Sequence, residues 1–203
     1  LCDVSNAYFT QTITPDDVVS TYSGVRPLFD DQAEDASSVT RDYVLKLQRS
    51  GDAAMLSVIG GKITTYRKLA EDALKHLKPH FPDAQKQWTE TPALPGGDIE
   101  HADFEVFETR CAEKYPWIDA STLHRLARTY GTRIERVLDG AESVSDLGHH
   151  YGHGLHPTEV DYLIDQEFAR SEEDILKRRT KLGLYLSPDE QAALRHNIEK
   201  MQS

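Results

Sequence analysis

The stretch from Met55 to Gly61 constrains the fold more than any other part of the chain. Met55-Leu56-Ser57-Val58-Ile59 is a short apolar run, the pattern of a buried strand. It stops at Gly60-Gly61, and the period then changes. Ile63, Tyr66, Leu69, Ala70, Ala73, Leu74 and Leu77 follow the 3.6-residue spacing of a helix with one apolar side. Thr64 and Thr65 stand at its start, where hydroxyls cap free N–H groups. Residues 55–78 therefore read as strand, Gly-Gly turn, helix.

Upstream, residues 1–9 fit the end of an amphipathic helix, and Thr14-Pro15-Asp16-Asp17 a turn or helix start. Val18–Leu28 is rich in β-branched and aromatic residues, interrupted by Gly24 and Pro27, and predicts a bent or edge strand. Asp30–Ser38 reads as an acidic exposed loop. Asp42–Leu47 alternates as a strand does, and Gln48–Asp52 reads as a turn. The three strands are expected to belong to sheets whose other members lie elsewhere, which leaves open edges and makes a homodimer an expected partner. Downstream, Pro79, Pro82, Pro92, Pro95 and Gly96-Gly97 mark a boundary. Beyond it, Phe104–Tyr115, Ser121–Tyr130, Ile134–Leu138, Thr158–Ala169 and Pro188–Met201 all carry helical spacing. Ser187-Pro188-Asp189-Glu190 combines a cap, a first-turn proline and acids for the dipole. The expected class is α+β, mainly α. Residues 1–78 form an incomplete β remnant with one helix, 79–100 a connector, and 101–203 a helical domain.

Composition narrows the function classes. Of 203 residues, 34 are acidic and 23 basic, a net charge of −11, so a general nucleic-acid binder is not expected. Residues 91–203 hold 21 acids and 13 bases, so most of the excess is in the helical part. No run of 18 apolar residues is present to span a bilayer, and no signal peptide is visible. The chain begins Leu1-Cys2-Asp3 and reads as a piece of something longer. Cys2 and Cys111 are far apart, which fits a reducing cytoplasm.

Three places carry chemistry. At Gly60-Gly61-Lys62-Ile63-Thr64, bare backbone, a helix N-terminus and a lysine suit an anionic, electron-rich group. A tight turn with a solvated lysine is the other reading. The spacing is neither GxxxxGK nor GxGxxG. Arg26, within Thr21-Tyr22-Ser23-Gly24-Val25-Arg26-Pro27-Leu28, is a guanidinium in an apolar segment, and Arg41 in Thr40-Arg41-Asp42-Tyr43 is similar. The planar fork fits phosphate or carboxylate. A structural ion pair is the alternative for each.

The ordered series TYSGVRPL, TRDY, LSVIGGKITTYRKLAEDAL, LPGG, ARTYG, SDLG and RRTKLGL resembles the C-terminal part of the FAD-dependent glycerol-3-phosphate dehydrogenase and α-glycerophosphate oxidase family. The resemblance covers essentially all 203 residues. It implies oxidation of sn-glycerol 3-phosphate to dihydroxyacetone phosphate, with hydride passing to FAD and electrons to quinone. It implies that Gly60, Gly61, Lys62, Ile63 and Thr64 border the flavin, and that Arg26, Arg41 and Lys62 hold the substrate. The helix start would stabilise charge gained by the cofactor. The resemblance further implies a cytoplasmic enzyme peripherally associated with the inner membrane, through parts outside these residues. The family's GxGxxG motif is not in these residues, so they are expected to be inactive alone and to retain no FAD. The alternative is a helical docking or dimerisation module without chemistry of its own.

His149, His150, His153 and His156 cluster, but Gly152 and Gly154 break a helix there, so no metal site is expected. Lys177-Arg178-Arg179-Thr180-Lys181 is the basic run. Arg178 and Arg179 are expected to bond acids or carbonyls of the helical domain rather than lipid.

Overall fold

The computed structural model describes residues 1–25, 27–29, 40–51, 53–83 and 88–202, with only the backbone of Gln202. The architecture is α+β, mainly α. Two compact units divide the chain: Leu1–Ser20 with Ala93–Ser203, and Thr21–Pro92.

The smaller unit holds an antiparallel hairpin of β1 (Tyr43–Ser50) and β2 (Ala53–Gly60), closed at Gly51. Tyr43 pairs with Gly60 and Ser50 with Ala53. Helix α2 (Tyr66–Leu77) follows a 3₁₀ turn at Ile63–Thr65 and packs on the hairpin. The helix and the two strands lie where the periodicities put them, but several details differ. The expected turn over Gln48–Asp52 starts later, because Gln48, Arg49 and Ser50 stay in the ladder. The two strands pair with each other. No residue of β2 is fully buried, since the sheet on which α2 packs has two strands among the described residues. The strand expected over Val18–Leu28 does not form among its described residues. Tyr22 and Val25 are fully exposed there, since β propensity yields a strand only against a neighbour. The expected N–H capping by Thr64 and Thr65 also fails. The Thr65 hydroxyl instead donates to the Lys62 carbonyl at 2.8 Å.

The larger unit holds the core. Short helix α1 (Cys2–Asn6) is followed by a 3₁₀ turn, Pro15–Asp17, with a reciprocal Thr14–Asp17 capping box. Helices α3 (Phe104–Lys114), α4 (Ala120–Tyr130), α5 (Ile134–Val137), α6 (Pro157–Glu167) and α7 (Pro188–Gln202) match the expected helical segments closely. In α4, buried Leu123, Leu126, Ala127 and Tyr130 form the i, i+3, i+4, i+7 stripe. Ile134, Leu155, Ile175 and Leu194 bring α5, the loop before α6, a π-helical turn at Asp174–Arg179, and α7 into the same core. Caps fix the ends. Asp103 accepts from Val106 N–H and Asp119 from Thr122 N–H. Ser187 and Glu190 cap α7 reciprocally. The proline-glycine connector docks onto the end of α4. The Gly96 carbonyl accepts from Thr132 N–H at 3.1 Å, and a Cβ on Gly96 would lie 2.4 Å from the Tyr130 carbonyl oxygen. The LPGG and ARTYG strings are thus two sides of one backbone-to-backbone contact, which only glycine permits.

Arg178 and Arg179 are structural, as expected. Arg178 pairs with Asp174 at 3.0 Å. Arg179 donates twice to the Glu167 carbonyl, covering the end of α6. The histidine loop is held by packing: His150 Nε2 accepts from Gly154 N–H, and His153 stacks on Tyr185.

Candidate functional site

Three segments distant in sequence meet at Gly60. A Cβ on Gly60 would lie 3.1 Å from the Asp42 carbonyl oxygen, 3.7 Å from that of Pro27 and 3.9 Å from the Phe29 nitrogen. The hairpin register explains the second segment, because Tyr43 opposite Gly60 carries Asp42 and Arg41 to the same end of the sheet. Gly60 and Gly61 both have positive φ, +76° and +91°, which lets the chain leave the strand and turn at once into α2. The neighbours of three candidate stretches therefore share one corner.

The individual candidates are placed as follows. Gly60 and Gly61 are half-buried at the turn. Lys62, Ile63 and Thr64 are exposed, Ile63 by 90%. No side chain caps the start of the 3₁₀ turn at Lys62. Arg41 is exposed two residues before β1. Among the described residues neither Arg41 nor Lys62 enters an ion pair. Arg26 lies outside the described residues. Arg67, next on the helix, is engaged with Glu71 at 2.9 Å. Among the described residues the corner thus presents two cations outside any ion pair beside an open helix start, an arrangement that attracts anions.

Sequence reasoning missed the groups that support this corner. The Tyr43 hydroxyl donates to Asp72 Oδ2 at 2.5 Å, and Asp72 Oδ1 accepts from Lys75 Nζ at 2.8 Å. The Lys75 bond first, then the Tyr43 bond, hold the Asp72 carboxyl at about 2. The bond to Asp72 in turn pushes the Tyr43 phenol above its ordinary value. Buried Glu71 accepts from Thr89 at 2.8 Å, tying α2 to the segment after it. One signal was available: Asp72 follows Leu69 by three residues, on the side of the helix that turns inward.

Among the described residues, no group of three His, Cys, Asp or Glu side chains converges as a metal site, and no helix is long and apolar enough to cross a membrane.

Residues 87–203 match the family described as the C-terminal domain of alpha-glycerophosphate oxidase. The chain is 48% identical over 195 residues to a glycerol-3-phosphate dehydrogenase of Pseudomonas aeruginosa, covering 96% of this chain and 38% of that protein. It is 46% identical over 188 residues to a D-erythritol 1-phosphate dehydrogenase of Brucella abortus, covering 93% and 38%. It is 45% identical over 193 residues to the aerobic glycerol-3-phosphate dehydrogenase of Escherichia coli, covering 95% and 38%. The chain spans little more than a third of the length of these relatives. The family match takes in α3 to α7 and the segment that docks on α4, and on that ground the chain belongs to the family of the C-terminal domain of alpha-glycerophosphate oxidase.

Proposed function

We propose that these residues are the C-terminal portion of a flavoenzyme that oxidises sn-glycerol 3-phosphate to dihydroxyacetone phosphate. The observation that carries the reading is the corner at Gly60, where exposed Lys62 and Arg41 flank an uncapped helix start. FAD fits the residues present: exposed Ile63 offers an apolar surface for a planar ring, and open backbone at Lys62–Thr64 offers donors for its polar edge. When bound, FAD supplies the hydride acceptor for the carbon that becomes the ketone. Gly60, Gly61, Lys62, Ile63 and Thr64 hold the ring edge, and the α2 N-terminus favours negative charge there. Arg41, Lys62 and Arg26 attract and orient the substrate phosphate. The resemblance in sequence supports quinone as the final acceptor and peripheral inner-membrane association of the parent. Lys177, Arg178 and Arg179 are occupied by Glu173, Asp174 and the Glu167 carbonyl. That occupation supports a membrane contact outside this basic run.

The relatives' names contain two polyol phosphates, and their identities to this chain, 48% and 46%, are too close to choose between them. The shared phosphate fits the cations at the corner, and glycerol 3-phosphate is the substrate proposed. Turnover with a dye acceptor tests this. The full-length protein carrying these residues is expected to oxidise glycerol 3-phosphate faster than erythritol phosphates, and residues 1–203 alone not at all. Arg41→Ala in the full-length protein is expected to raise KM for glycerol 3-phosphate roughly tenfold or more, the loss of a charge-assisted phosphate contact. A preference for erythritol phosphate, an unchanged KM, or turnover by residues 1–203 alone overturns the corresponding part.

A further inference from the structure

We infer that Tyr43 and Asp72 form a strut that fixes the Gly60–Gly61 turn against α2, which makes Tyr43 a positioning residue for the oxidation. The inference rests on the reading of that turn as the flavin edge. Tyr43 is the first residue of β1 and pairs with Gly60. A Cβ on Gly61 would lie 3.2 Å from the Tyr43 Cβ, so the tyrosine lies directly against the turn. Its hydroxyl spans 29 residues of sequence to reach Asp72 Oδ2 at 2.5 Å. Asp72 lies well within α2, and Lys75 at 2.8 Å and Lys68 at 3.7 Å fix its other oxygen. The carboxylate is thus held from three directions and can anchor the phenol.

The strut closes a triangle. One side is the ladder from Tyr43 to Gly60. The second is the chain from Gly60 through the turn into α2. The third is the Tyr43–Asp72 bond. Without the third side, the turn keeps the ladder and the backbone of Asp42, Pro27 and Phe29 around Gly60, but toward α2 it is held by half-buried packing on Leu69, whose Cδ1 would lie 3.5 Å from a Cβ on Gly61. A half-buried two-stranded sheet is a weak brace. The atoms that meet a ligand, at Lys62–Thr64, then depend on a hydrogen bond outside the ligand surface. Tyr43 does not act as a proton donor here, since its hydrogen is committed to an ionised carboxylate.

The test uses the full-length flavin-loaded protein. Tyr43→Phe removes the hydroxyl and keeps the ring. The expected result is a fall in kcat of roughly 10- to 100-fold, the cost of a small misplacement at a reacting centre. The KM for glycerol 3-phosphate should change less than about twofold, and the flavin absorption bands should shift. Asp72→Ala should match Tyr43→Phe. Asp72→Asn keeps an acceptor for the phenol and should recover most of the rate; it also serves as the test should Tyr43→Phe fail to fold. Variants that lose thermal stability but keep kcat and the flavin spectrum overturn the inference, as does Asp72→Asn behaving like Asp72→Ala. A wild-type protein that binds flavin and turns over while Tyr43→Phe is unaffected sinks the strut alone. A wild-type protein without flavin overturns the underlying reading and the strut together.

Discussion

At the residue scale, the strongest single commitment is the buried pair of Arg125 and Glu159. Glu159 is 2% exposed and receives both Arg125 Nη atoms at 2.7 Å and the Tyr130 hydroxyl at 2.6 Å. Arg125 also donates to the Gly154 carbonyl at 2.8 Å, so one guanidinium joins α4, α6 and the loop between α5 and α6. Burial would pull its pKa down, but the bond and charge of Glu159 outweigh that and hold it above the ordinary value. Burial, and then Glu159, raise the Tyr130 phenol. Removing one partner of such a pair leaves a desolvated charge behind, which costs about 3–5 kcal/mol, whereas replacing both by apolar groups is often near neutral. Arg125→Met is therefore expected to lower the unfolding free energy by about 3–5 kcal/mol, and Arg125→Met with Glu159→Met to recover much of the loss. Urea unfolding of the two variants checks this. A double variant no better than the single one would mean that the pair is not energetically coupled.

At the scale of elements, helix ends rather than helix interiors carry the local specificity. Asp119 accepts from Thr122 N–H at 3.0 Å and from the Ser121 hydroxyl at 2.6 Å. The Ser121 bond first, then the Thr122 N–H, hold its carboxyl at about 2. The folded value lies below the unfolded value near 4, so the cap contributes fully above that and fades as pH falls toward 2. Asp119→Ala is expected to cost about 1 kcal/mol at neutral pH. The gap to wild type should close as the pH drops below about 4. A gap constant over that window in urea titrations would show that the carboxylate is not the cap. Part of this was legible in the sequence: Ser187-Pro188 marks the start of α7, and the apolar spacing of α4 names its own buried stripe. The strand over Val18–Leu28 was misleading for a physical reason, since β-branched side chains form a strand only when a neighbour completes the ladder. The bonds from Tyr43 to Asp72 and from Arg125 to Glu159 were not legible. Each joins groups far apart in sequence, and periodicity carries no information about such partners. At the site, the Gly-Gly turn and its cations could be read directly, and the groups behind them could not.

Across the whole molecule, burial is divided unequally. Among the described residues every buried apolar side chain lies between Cys111 and Ile198, in the larger unit. Among the described residues of Thr21–Pro92, Glu71 alone is buried, at 8% exposure, with a half-buried hairpin and one helix around it. A lone hairpin is marginal in water, and its helix adds one covered face. The stability of residues 1–203 is therefore expected to reside in the helical unit, while β1, β2 and α2 open at much lower cost. Hydrogen exchange on residues 1–203 reads this directly. Amides of α4 and α6 should exchange at least about a hundredfold more slowly than those of β1, β2 and α2, relative to their intrinsic rates. Equal protection in both sets would mean that the smaller unit is as stable as the core-bearing one. The expected difference bears on function, because the corner at Gly60 lies in the weaker unit. The site proposed at this corner lies on a marginal element and needs local bracing, from Tyr43 on Asp72 and Glu71 on Thr89, to hold its shape. The same exchange measurement on Tyr43→Phe should show faster exchange confined to Gly60–Leu69, with α4 and α6 unchanged.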